Sequence, residues 1–222
     1  MISKSIVWRV TVLGISLLAL PLASASACES FIDPKGRSVV DFAPLPGFAD
    51  DCWQSPVCEM FLPLKDSPYY PVGLFFDPSE SAAYRTEALK KGSMKQLTAQ
   101  LLGSAKNGSM DDFKDFVRKM IKESIPDESI GRGTTKKTYK DIVSESNDLI
   151  SWGFTHTSFG EDSRLFEIRT GIGTYLKVKG ETVSLFVTEY WRPPFEGGRE
   201  PDGESTKALS KRWIDCIRDK NK

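Results

Sequence analysis

The chain has 222 residues, 40% of them hydrophobic and 27% charged, a balance that fits an ordinary globular protein. Lysine plus arginine and aspartate plus glutamate both number 30, for a net charge of zero. That parity leaves no global field to draw in nucleic acid or an anionic membrane, so neither is expected as a partner.

Residues 1–27 come first. Lys4 and Arg9, with no acid between them, precede the apolar run VTVLGISLLAL (10–20), then Pro21 and the small-residue stretch LASASA. This three-part layout reads as a signal peptide over 1–27, cleaved after Ala25 or after Ala27. The run falls short of the roughly 20 apolar residues of a spanning helix. The expected product is a periplasmic or secreted domain, 28–222, with no membrane span after cleavage. Cys28 directly follows the second cleavage point and opens an alternative, an envelope lipoprotein acylated there. Ala25 stands where such proteins prefer a large aliphatic residue.

Exported chains meet oxidising surroundings, so Cys28, Cys52, Cys58 and Cys216 are disulfide candidates. Four cysteines allow three connectivities. The Cys52-x5-Cys58 spacing matches neither a C-x-x-C redox site nor the C-x2–4-C pairs of structural zinc. His156 is the lone histidine, and no metal or cofactor is expected. If Cys52 pairs with Cys58, Cys28 is left for Cys216, which would fasten the start of the mature chain to its last helix.

From 28 to 70 turn formers dominate, with one strand predicted over 37–42, where Val40 and Phe42 share a face. PVGLFFDP (71–78) reads as a buried strand. A helix is predicted over 79–92, from a Ser79 cap to a Gly92 stop. Residues 94–102 alternate Leu97, Ala99 and Leu101 as a strand does, which is preferred to a continuation of the preceding helix. The clearest helix is 108–124: Ser109 caps it, Asp111 and Asp112 sit in its first turn, and Phe113, Phe116, Val117, Met120 and Ile121 form its apolar face. Residues 125–150 are polar and undecided, and GRGTTKK (131–137) reads as a mobile basic loop.

Strands follow at 164–170, 173–180 and 181–191, the last two joined by a Lys179-Gly180 hairpin turn. After a proline- and glycine-rich loop, the final helix aligns Leu209, Trp213, Cys216 and Ile217. The expected fold class is α+β, a single domain with helices packed on a mainly antiparallel sheet.

Pro46-Gly47-Phe48 after the leader, the strand VSLFVTEYW, and Trp213 with Ile217 in a terminal helix form a recognisable layout. The chain resembles exported bacterial proteins of unassigned activity, and its layout is similar to the small α/β sandwiches of the PsbP and DcrB type. The resemblance implies a fold and an exported location, with no reaction and no functional residue.

Chemistry is sparse. No G-x-S-x-G occurs, and His156, in WGFTHTSFG, is the one histidine that could act as a base. A hydrolase-like enzyme using it is the alternative reading. Glu161, Asp162, Glu167, Glu181 and Glu189 offer carboxylates, but their spacing selects no pair. GIGT and GRGTTKK lack the spacings that cradle phosphate. Tyr190, Trp191, Arg192 and Phe195 are types enriched in binding hot spots and offer a surface for an envelope protein partner, the alternative being that Trp191 and Phe195 cap the core at the end of the sheet. The sequence therefore points to an exported, non-catalytic globular protein that binds a macromolecular partner or a small ligand, with no catalytic residue assigned.

Overall fold

A computed structural model describes residues 28–50, 69–79, 94–103, 107–123, 128–130, 133–160, 164–191 and 203–222. The strands are β1 (Ala49–Asp50), β2 (Tyr70–Phe76), β3 (Met94–Leu101), β4 (Glu128–Ile130), β5 (Gly133–Ser146), β6 (Leu149–Phe159), β7 (Leu165–Val178) and β8 (Glu181–Trp191). The helices are α1 (Met110–Lys122) and α2 (Gly203–Lys220). Among the described residues the strands form one eight-stranded sheet, ordered β1-β2-β3-β8-β7-β6-β5-β4. Every pairing in it is antiparallel.

This corrects the α+β expectation. The molecule is built mainly of strand, with its helices as minor covers. The error came from 125–150 and from the histidine stretch, which went unassigned. The basic loop expected over 131–137 does not hold: from Gly133 onward these residues belong to β5. β5 is polar because it lies near the rim of the sheet and most of its side chains face water. Its Thr134, Thr135, Thr138, Tyr139, Ile142 and Val143 still carry strand preference. β6 alternates Ile150, Trp152, Phe154 and His156 along one face.

Other expectations differ in detail. Residues 37–42 form no strand; one isolated bridge joins Ile32 and Asp41, although Val40 and Phe42 are both fully buried. The strands expected at 164–170 and 173–180 are one continuous β7. Gly171 and Gly173, which appeared to interrupt it, leave room for the rings of Phe154 and Trp152, which a Cβ at either position would strike. β2, β3 and α1 lie where expected, and Ser109 caps α1 by accepting from the Asp111 N–H. The apolar stripe of α1 is rotated: Phe116 is 49% exposed and Lys114 is buried. Lys179 and Gly180 take φ of 47° and 79°, both in the left-handed region that a tight two-residue hairpin turn requires. Apart from Ser79, the helix predicted over 79–92 lies outside the described residues, as do the leader, Cys52 and Cys58.

Alternation along the strands makes two cores. On one face Leu97, Leu176, Val183, Leu185 and Val187 meet Trp213, Ile214 and Ile217 of α2, and Val40, Phe42 and Leu45 of the irregular segment 28–48. On the other, Ile150, Trp152 and Tyr175 meet Met110, Val117 and Met120 of α1. Each large apolar side chain so buried is worth about 1.5–3 kcal/mol.

Segment 28–48 is tied at three places to α2 and the residue that follows it. Cys28 and Cys216 form a disulfide, with Cα atoms 5.9 Å apart across a sequence separation of 188. The Trp213 indole donates to the Ala43 carbonyl at 3.1 Å. Asn221 accepts from the Asp41 N–H at 2.9 Å and donates to the Asp41 carbonyl at 2.7 Å, pairing with the backbone as a strand would.

Candidate functional site

Among the described residues α2 lies over β7 and β8 and stands beside the adjoining β5–β6 part of the same face. The result is an open groove of about 510 Å³. Part of its floor is set by cross-strand register: Ser144 of β5 opposes Ser151 of β6, which is backed by Thr174 of β7. The Ser151 and Thr174 hydroxyls satisfy each other at 2.8 Å, both buried. Val143, Leu149, Ile172 and Ile214 supply the apolar part of the lining.

One end is closed at the turn between β5 and β6. Arg218 grips Asp148 with contacts of 3.0 and 2.9 Å to its two carboxylate oxygens, and the Ser146 hydroxyl donates to the same carboxylate at 2.6 Å. Burial alone would raise the Asp148 pKa, but the hydrogen bonds from Ser146 and Arg218 outweigh it and hold the carboxyl below its ordinary value. The α2 rim presents Glu204, Lys207, Ala208, Lys211 and Asp215, one turn apart along a single helix edge. At its start α2 is anchored by Glu189 of β8, which accepts from Ser205 and Thr206 at 3.2 and 3.5 Å. That carboxylate also suits the positive end of the helix dipole.

The residues singled out in the sequence lie elsewhere. His156 is on the opposite face of the sheet, with Lys137 and Arg169 as its cross-strand neighbours. Its ring packs 4.9 Å from Phe154 and 6.3 Å from Tyr139. Glu167, two positions along β7 from Arg169, is buried and paired with it. Tyr190 lies in the same row of the sheet, next to Arg169. Its hydroxyl donates to Gln96 at 2.5 Å, and the Arg169 guanidinium stacks 5.2 Å over its ring. Trp191 ends β8 half-buried. Arg192 and Phe195 lie outside the described residues. No group of three or more His, Cys, Asp or Glu side chains converges among the described residues.

The groove residues were missed. Lys207, Lys211 and Arg218 were visible as the polar edge beside the Trp213 stripe, but their opposing wall lay in the unassigned 125–150 stretch.

No family model matches the chain, and neither a curated protein nor a solved structure matches it.

Proposed function

We propose that the protein is exported to the periplasm or the cell exterior and there binds a small ligand, without catalysing a reaction, in the groove between α2 and β5–β6. The observation that carries this reading is the groove itself. Its volume falls within the range of small-molecule sites, and it sets serine hydroxyls and a charged helix edge around the apolar Val143, Leu149, Ile172 and Ile214. Export is supported by the leader pattern over 1–27 and by the Cys28–Cys216 disulfide, which oxidising surroundings favour. Among the described residues no helix is long and apolar enough to cross a membrane. Acylation of Cys28 would consume the sulfur that bonds Cys216, so the lipoprotein alternative and this disulfide exclude each other.

The hydrolase alternative draws less support. Glu167, two positions along β7 from Arg169, the cross-strand neighbour of His156, is engaged by that arginine. The partner surface around Trp191 is also less supported, since Tyr190 is occupied within the sheet by Gln96 and Arg169.

A thermal-shift screen of the mature, oxidised protein tests the groove. A ligand at about one hundred times its Kd adds about 2.7 kcal/mol, or roughly 5–10 °C in a protein of this size. Ala208→Trp, on an exposed position of the α2 rim, should abolish that shift. A library in which every stabilising compound acts equally on both proteins, or none acts, overturns the proposal.

A further inference from the structure

We infer that the groove's ligand is an amphipathic monoanion, a molecule with one carboxylate or sulfonate head and an apolar body; this rests on the groove reading above. Half-buried Val143 and the edges of Leu149, Ile172 and Ile214, otherwise buried, give the groove an apolar side that a narrow chain or ring edge can touch. Beside it Lys207 and Lys211 stand one helical turn apart, both exposed. Among the described residues neither ammonium makes an ion pair, although Glu204 and Asp215 lie on the same edge. The third cation, Arg218, is neutralised by its two contacts to Asp148.

The charge balance narrows the class. Two ammonium groups flanked by two carboxylates give a rim of no net charge. Such a rim exerts little pull on a polyanion, and Glu204 and Asp215 would repel its outlying charges. A single compact anion set between Lys207 and Lys211 meets both ammonium groups and neither carboxylate. A cationic head in that place would face two like charges, and a neutral head would leave the pair unused. The apolar body then extends toward Ile172 and Leu149, away from the rim.

The test is competition against bound anilinonaphthalene sulfonate, followed by fluorescence on the mature, oxidised full chain. The competitors are dodecanoate, dodecanol and dodecyltrimethylammonium, each below its micelle concentration. Dodecanoate should compete at about one-tenth the concentration of dodecanol, a gap of the size two rim ion pairs can supply. The cationic analogue should be the weakest of the three. In Lys207→Gln/Lys211→Gln the gap should close while dodecanol competes as before.

Equal competition by dodecanoate and dodecanol in the wild type, or a gap that survives the double substitution, overturns the head-group assignment and leaves the groove standing. Failure of all three competitors and the dye, with a different class of molecule stabilising the wild type but not Ala208→Trp, does the same. Undiminished binding of all of them to Ala208→Trp places the ligand elsewhere, so that the groove reading fails and the inference with it.

Discussion

Asp33 shows how much one side chain organises in the segment before the sheet. Its carboxylate takes the Arg37 Nε at 2.8 Å, the Arg37 Nη2 at 3.0 Å, and the backbone N–H groups of Arg37 and Lys35. Arg37 then reaches the Pro71 carbonyl on β2 at 3.0 Å. Burial would raise the Asp33 pKa, but the bonds from Arg37 and Lys35 prevail and hold it below the ordinary 3.8. A depressed carboxyl pKa stabilises the fold above the unfolded value, and that contribution is lost as pH falls through the folded value. Unfolding followed by circular dichroism should therefore show stability declining below about pH 4. Asp33→Asn should be less stable at pH 7 by about 2 kcal/mol, the scale of hydrogen bonds to a charged group, and should lose part of that acid slope. An unchanged slope would remove Asp33 from the account. At this scale the sequence was partly legible. The alternation of Val40 and Phe42 pointed to a strand that does not form, though both side chains are buried, and Asn221 pairing with Asp41 had no local signal at all.

Among the elements, β7 and β8 form the middle of the sheet, and their hairpin was readable because Lys179-Gly180 obeys local turn chemistry. β7 was read as two pieces because a glycine in a strand interior usually marks a weakness. Here the missing side chains are filled from the neighbouring strand: Trp152 lies over Gly173 and Phe154 over Gly171. Gly173→Ala should cost about 1–3 kcal/mol, the usual penalty for overfilling a packed site. Trp152→Ala should cost about 3–5 kcal/mol as a large-to-small core change. Urea unfolding of the double variant should give a loss smaller than the sum, because the added methyl then occupies vacated space. Strict additivity would mean that ring and glycine are not complementary. α1 gives the converse lesson. Helical periodicity located the helix, but its buried face turned to admit Lys114, which reaches Glu145 of β5 at 3.9 Å. A strand that went unrecognised could not be counted as a neighbour, and the groove was missed for the same reason.

For the molecule as a whole, the disulfide closes the longest loop among the described residues. In the chain-entropy model a separation of 188 is worth roughly 5 kcal/mol, with about 2–4 kcal/mol typical of measured bridges. Cys28→Ser/Cys216→Ser should lower Tm by roughly 5–15 °C. Reductant should move the wild type toward the variant and leave the variant in place. A variant as stable as the oxidised wild type would show that Trp213 and Asn221 hold the segment unaided. The misjudged fold class also belongs to this scale. A broad sheet turns polar at the rim where β5 meets water, and a polar strand looks like a loop until its partner is known.

The long reach of these ties shapes how the molecule is made. Cys28, Asp41 and Ala43 find their partners at Cys216, Asn221 and Trp213, so the beginning of the described chain waits for residues translated long after it. Until they emerge, Val40 and Phe42 have no α2 to lie beneath, and contacts this distant are slow to form. A polypeptide delivered in order from its amino end would stay slack and easily threaded through a narrow passage for most of its journey. It would draw tight only once the final helix was through.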